Sequence, residues 1–107
     1  MVVEHDQVEE VVREAARRLS ERIRVSAVYL FGSYAGGDSD KFSDIDIAVF
    51  SPDVAELGLL GRARLGTRLR LGCHRDLEPH FLPDWTLARP PRGSLAEQVI
   101  RTGKRIV

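Results

Sequence analysis

Two aspartates one residue apart, Asp44 and Asp46, lead into the apolar run Ile47-Ala48-Val49-Phe50. Side chains on a strand alternate faces, so the two carboxylates project together while Ile45 and Ile47 turn to the other side. Paired carboxylates are costly unless a positive charge sits between them. A hard divalent cation such as Mg²⁺ meets that need, because it takes one or two carboxylates and completes its shell with substrate phosphates. Ten residues separate Asp44 from Ser33, which with Gly32 breaks the run Val28-Tyr29-Leu30-Phe31. Backbone N–H groups at a strand-to-helix corner are unsatisfied and make a seat for phosphate oxygens. Gly32 keeps the backbone close to that phosphate and Ser33 adds a hydroxyl. A phosphate seat and a metal seat within one hairpin-sized unit point to nucleotidyl transfer.

The elements that hold these residues follow from periodicity. Val8, Val11, Val12, Ala15, Ala16, Leu19 and Ile23 recur at helical spacing and predict a helix over about 7–23. Asp6 with Glu9 reads as its cap, and Glu9–Arg13 and Glu14–Arg18 are spaced to pair. Strands are predicted over Arg24–Phe31 and Ile45–Phe50, with turn chemistry at Gly36-Gly37-Asp38-Ser39-Asp40 between them. Ser51-Pro52-Asp53 ends the second strand, and Val54, Leu57, Gly61, Leu65 and Leu69 continue as a helix over about 54–70. A third strand is predicted over Leu71–Leu82, placed on an edge by Pro79. Its alternation sets Leu71, Cys73, Arg75 and Leu77 on one side and His74, Asp76, Glu78 and His80 on the other. The proline-rich stretch 82–93 reads as a loop with Trp85 over the core edge. Ser94 with Glu97 opens a last helix that Gly103 closes, and Ile106-Val107 either adds a strand or packs down. The arginines of the first two helices read as solvated faces. The sum is an α/β (α+β) sandwich, a mixed sheet flanked by helices.

Gly32-Ser33-Tyr34-Ala35 and Ser43-Asp44-Ile45-Asp46-Ile47, joined by a short loop, resemble the signature of the minimal nucleotidyltransferases, small members of the DNA polymerase beta-like superfamily. One departure is Gly36-Gly37, where the family usually has an arginine after the alanine. The resemblance implies the nucleotidyltransferase core, with turn and carboxylates at one end of the sheet. It implies Mg²⁺ or Mn²⁺ held by Asp44, Asp46 and a third carboxylate on a neighbouring strand, with ATP as substrate. Alternation does not separate Glu78 from Asp76 for that third place. Glu78 is preferred, because the family's third acid usually has apolar neighbours and Glu78 lies between Leu77 and Pro79. Asp76, beside Arg75, reads as a surface ion pair. Family members are commonly paired with a helical HEPN-type protein and act as antitoxins that transfer AMP to a tyrosine of that partner RNase. A nucleotide-binding module that neutralises its partner by contact is the alternative. A small-molecule nucleotidyltransferase ranks last, for want of an acceptor-binding domain.

Composition sets the outer bounds. A chain of 107 residues is expected to form one domain, 1–107. Lys+Arg and Asp+Glu are 16 each, so no overall field favours direct nucleic-acid binding. A single cysteine, Cys73, excludes an internal disulfide and suits a reducing cytoplasm. Cys73, His74 and His80 match no structural zinc spacing. No apolar run approaches the roughly 20 residues of a membrane span, and no signal-peptide pattern opens the chain. Self-association stays open.

Overall fold

Alternating and helical apolar patterns meet on one four-stranded sheet. In the computed structural model, residues 5–32 and 44–107 are described. Helix α1 (His5–Ser20) is followed by β1 (Ala27–Phe31), β2 (Ile45–Ser51), α2 (Val54–Gly72), β3 (Leu77–Pro83), α3 (Trp85–Ala88), α4 (Leu95–Thr102) and β4 (Lys104–Arg105). The sheet order is β3-β2-β1-β4. β1 runs antiparallel to both β2 and β4, whereas β2 and β3 are parallel and joined through α2. It is the mixed, helix-flanked sheet expected.

Each face of the sheet has its own cover. Val8, Val12, Ala15, Ala16 and Leu19 of α1 and Val54, Leu65 and Leu69 of α2 pack with Val28, Leu30, Ile45, Ile47, Val49, Leu77 and Phe81. The opposite face gives Ala27, Tyr29, Ala48 and Phe50 to Ala96 and Val99 of α4. Tyr29 and Phe50 meet there edge to face, ring centres 5.7 Å apart. Ser94 caps α4 by accepting from the Glu97 N–H at 3.2 Å, while the Glu97 carboxylate accepts from the Gly93 N–H at 3.1 Å. Gly103 closes the helix through its N–H to Val99 C=O.

β3 is an edge strand that resists further pairing. The Ile45 N–H donates to Asp76 C=O at 2.8 Å, so the even-numbered residues of β3 bond to β2 and the odd-numbered ones face outward. Pro79 and Pro83 occupy two of those outward positions and offer no N–H to another strand.

Several boundaries differ from expectation. α1 already includes His5, so Asp6 lies inside the helix, and regular helix ends at Ser20 with Ile23 held by one more turn onto Leu19. β1 starts at Ala27, because the Arg24 N–H is taken by Asp53 (2.8 Å) and only Ser26 reaches Phe50. Leu71 and Gly72 belong to α2 rather than to a strand. The Leu65–Leu69 stripe carries the helix that far, and Cys73 N–H closes it onto Leu69. Inside α2 the chain kinks at Gly58 (φ +64°). Within 82–93, residues Trp85–Ala88 form α3, and Trp85 is 58% exposed instead of covering the core edge.

The charged surface of α1 is a paired network. Arg13 bonds Glu9 (3.3 Å) and Glu10 (2.7 Å), Arg17 bonds Glu14 (2.6 Å) and Glu21 (3.1 Å), and Arg18 bonds Glu14 (2.9 Å). Arg17 and then Arg18 pull the Glu14 carboxyl down to about 2. Arg24 clamps Asp53 across the sheet end at 2.6 Å and holds its carboxyl below the usual carboxylate range.

Candidate active site

Three strands carry the candidate residues to one end of the sheet. Asp46 follows Ile45 and precedes Ile47, both buried under α1 and α2, so its side chain emerges on the opposite face with Ala48 and Phe50. The strand register then fixes its neighbours. Phe31 of β1 lies beside Asp46 on one side, and Glu78 of β3 lies beside it on the other. Two residues before Asp46 and Glu78, Asp44 precedes β2 and Asp76 precedes β3, where the Ile45 N–H bonds to Asp76 C=O. Towards the other end of the same face α4 closes over Phe50 and Tyr29; at Asp44 and Asp46 the side chains are exposed or half-exposed.

Gly32 ends β1 against Asp46. Its φ is +77°, and a Cβ there would stand 2.7 Å from Asp46 Oδ2. The position therefore excludes a side chain twice, by backbone conformation and by contact. Ser33 and the Gly36–Asp40 turn lie outside the described residues.

Glu78 is exposed at its place beside Asp46. Asp76 is half-exposed, with His74 Nδ1 and Arg75 Nε each 3.9 Å from its carboxylate. The expected Asp76–Arg75 pair is thus present but loose. His80, two residues past Glu78 and paired with Ala48, was not among the residues that the sequence marked for the site. Its Nε2 lies 3.3 Å from Asp46 Oδ1, and its ring packs edge to face on Phe31, centres 5.2 Å apart. An open groove of about 390 Å³ runs along β3 from Leu59, Arg62 and Arg70 of α2 to Glu78 and His80.

The side-chain types suit a hard cation: carboxylates of Asp46 in β2, of Asp44 just before it, and of Glu78 beside Asp46 by register. Among the described residues no three His, Cys, Asp or Glu side chains already converge on one point. Cys73 is not part of this carboxylate set. Its thiol donates to Val11 C=O at 3.5 Å, and burial pushes its pKa up, away from nucleophilic use.

A mixed sheet with a glycine turn closed against an Asp-x-Asp strand defines the nucleotidyltransferase fold. The Nucleotidyltransferase domain model matches residues 12–86, and the chain belongs to that family. The protein adenylyltransferase MntA of Shewanella oneidensis is 32% identical over 83 residues, which are 78% of this chain and 54% of that protein. The chain spans about half the length of the curated relatives it matches. Among solved structures, a toxin–antitoxin complex with AMP-PNP superposes with a TM-score of 0.68 at 28% identity, covering 92% of this chain and 72% of that one. The MNT antitoxin structure with the tri-AMPylated HEPN toxin of Shewanella oneidensis gives 0.62 at 25% identity, covering 97% of this chain and 72% of that one.

Proposed function

We propose that this chain is the antitoxin of a HEPN/MNT pair and transfers AMP from ATP to a hydroxyl of its helical HEPN-type partner. The observation that carries the reading is the meeting at Asp46 of the Gly32 turn, closed against its carboxylate, and Glu78, its partner in the β2–β3 register. This closeness supports the turn as phosphate seat, Asp46 as cation holder and Glu78 as proton acceptor. The similar complexes, one with AMP-PNP and one with an AMPylated HEPN toxin, support the donor and the acceptor.

Asp44 and Asp46 would hold Mg²⁺ or Mn²⁺, which when bound supplies charge neutralisation for the triphosphate and acidifies the attacking hydroxyl. Gly32 brings backbone close to a phosphate, and Ser33 hydrogen-bonds it. Glu78 takes the proton of the acceptor hydroxyl, with Asp76 as the rival for that role. The hydroxyl oxygen bonds to the α-phosphorus, the bond to the β-phosphate oxygen breaks, and pyrophosphate leaves with that electron pair. The groove along β3 gives an acceptor access to Glu78 from outside the sheet. ATP as donor and a single free cysteine support a cytoplasmic setting. No helix among the described residues is long and apolar enough to cross a membrane.

The test incubates the chain with its HEPN-type partner and ATP labelled at the α- or the γ-phosphate. Label from the α-position alone should appear on the partner, dependent on Mg²⁺ and lost in Asp46→Asn. Neutralisation by Asp46→Asn as complete as by wild type, with no label transferred, would overturn catalysis in favour of inhibition by contact.

A further inference from the structure

We infer that His80 is a positioning residue for Asp46, donating from Nε2–H to Oδ1 so that Oδ2 is left to face the Gly32 turn. The inference rests on the nucleotidyl-transfer reading above and adds to it the residue that aims the cation-holding carboxylate. An aspartate on an open strand end samples several rotamers, and each unproductive one weakens cation binding. Here the two oxygens are held in different surroundings. Oδ1 is 3.3 Å from His80 Nε2, and Oδ2 is against Gly32, 2.7 Å from where a Cβ would stand.

The ring that sets this orientation is itself fixed from the far side. Phe31, beside Asp46 in the β1–β2 register, packs edge to face on His80 at 63° between ring planes. The residue paired with His80 is Ala48, whose small side chain leaves the imidazole room to lean back along the strand toward Asp46. Phe31, Asp46 and His80 thus come from three adjacent strands, with His80 in contact with each of the other two. A donor on the far oxygen of a ligating carboxylate is the usual outer support of a cation site, and its loss typically costs 10- to 100-fold in affinity. A neutral imidazole donates from one nitrogen only, so the geometry requires the proton on Nε2.

Two variants and two readouts test the inference. Glutamine at this position carries an amide N–H near the place of Nε2, whereas phenylalanine keeps the ring on Phe31 and removes the donor. Nitrogen-15 spectra of the free wild-type protein at pH 8 should show the His80 proton on Nε2, with the signal displaced in Asp46→Asn. Mn²⁺ binding in the presence of AMP-PNP, followed by electron paramagnetic resonance, should weaken on the order of 10-fold in His80→Phe. It should largely recover in His80→Gln, with both unfolding midpoints unchanged. A proton on Nδ1, or a His80→Phe protein that binds Mn²⁺ as wild type does, overturns the positioning role and leaves the nucleotidyl-transfer reading standing. A wild-type protein that binds no Mn²⁺ with AMP-PNP overturns that reading and this inference together.

Discussion

The two faces of β2 use the same seven residues differently. Ile45, Ile47 and Val49 point under α1 and α2 and are fully buried along the whole strand. Asp46, Ala48 and Phe50 point the other way, and only the last two pass beneath the short helix α4. One face is given wholly to stability. The other is divided: apolar where α4 covers it, and acidic where the cover stops. A strand anchored on one side can present charged groups on the other without loosening, because the buried face holds the backbone in place. Rigidity and chemistry are thereby separated within one element.

Substitutions on the closed face should strike stability alone. Ile47→Ala, at a fully buried position, is expected to cost about 2–5 kcal/mol by denaturant titration. Any AMP transfer by the surviving folded fraction should run at the wild-type rate. On the open face the effects reverse. Glu78→Gln should lower turnover on the order of 10²-fold, as for loss of a proton acceptor, with little change in unfolding midpoint. Asp76→Asn, whose contacts are 3.9 Å long, should change stability by no more than about 1 kcal/mol. If Asp76→Asn is the inactive protein and Glu78→Gln the active one, the roles of the two acids are exchanged.

Gly32 sits on the boundary between the two regimes, and its variant should move both readouts. Gly32→Ala meets a positive φ and the Asp46 carboxylate, so a stability loss of about 1–2 kcal/mol is expected from the backbone alone, accompanied by weakened ATP binding. The smallest effect lies on the outer surface of the closed half. Glu14 is held down to about 2 by Arg17 and Arg18. A lowered carboxylate stabilises above its unfolded value of about 4.3 and loses that contribution as pH falls through the folded value. Glu14→Gln should therefore unfold slightly below wild type at pH 7, and the gap should close as pH falls toward 2.

How far the sequence could be read tracks how local each feature is. The glycine turn, Asp44-x-Asp46 and the two covering helices are written in contiguous residues, and strand alternation alone puts Asp46 opposite Ile45 and Ile47. The placing of Glu78 beside Asp46 depends on a parallel register set across α2, which no local pattern encodes. Leu71 and Cys73 fit a strand alternation as well as the end of a leucine-striped helix, so β3 was expected six residues early. His80 was visible on the same alternation as Glu78. What the sequence lacked was that its neighbour would be Ala48, small enough to let the ring reach Asp46. Trp85 failed as a core lid because Leu82, Leu87 and Leu95 already pack at that edge.

Calorimetric titration of ATP into the wild-type chain and Asp46→Asn, each with and without Mg²⁺, bears most directly on the division between the two faces. ATP should bind wild type only with the metal. Asp46→Asn should lose that metal-dependent binding while unfolding at the same temperature or slightly higher, since a like-charged pair is relieved. Equal ATP binding with and without Mg²⁺, or an Asp46→Asn protein that binds normally or unfolds far below wild type, would contradict the assignment of the open face to metal-dependent nucleotide chemistry.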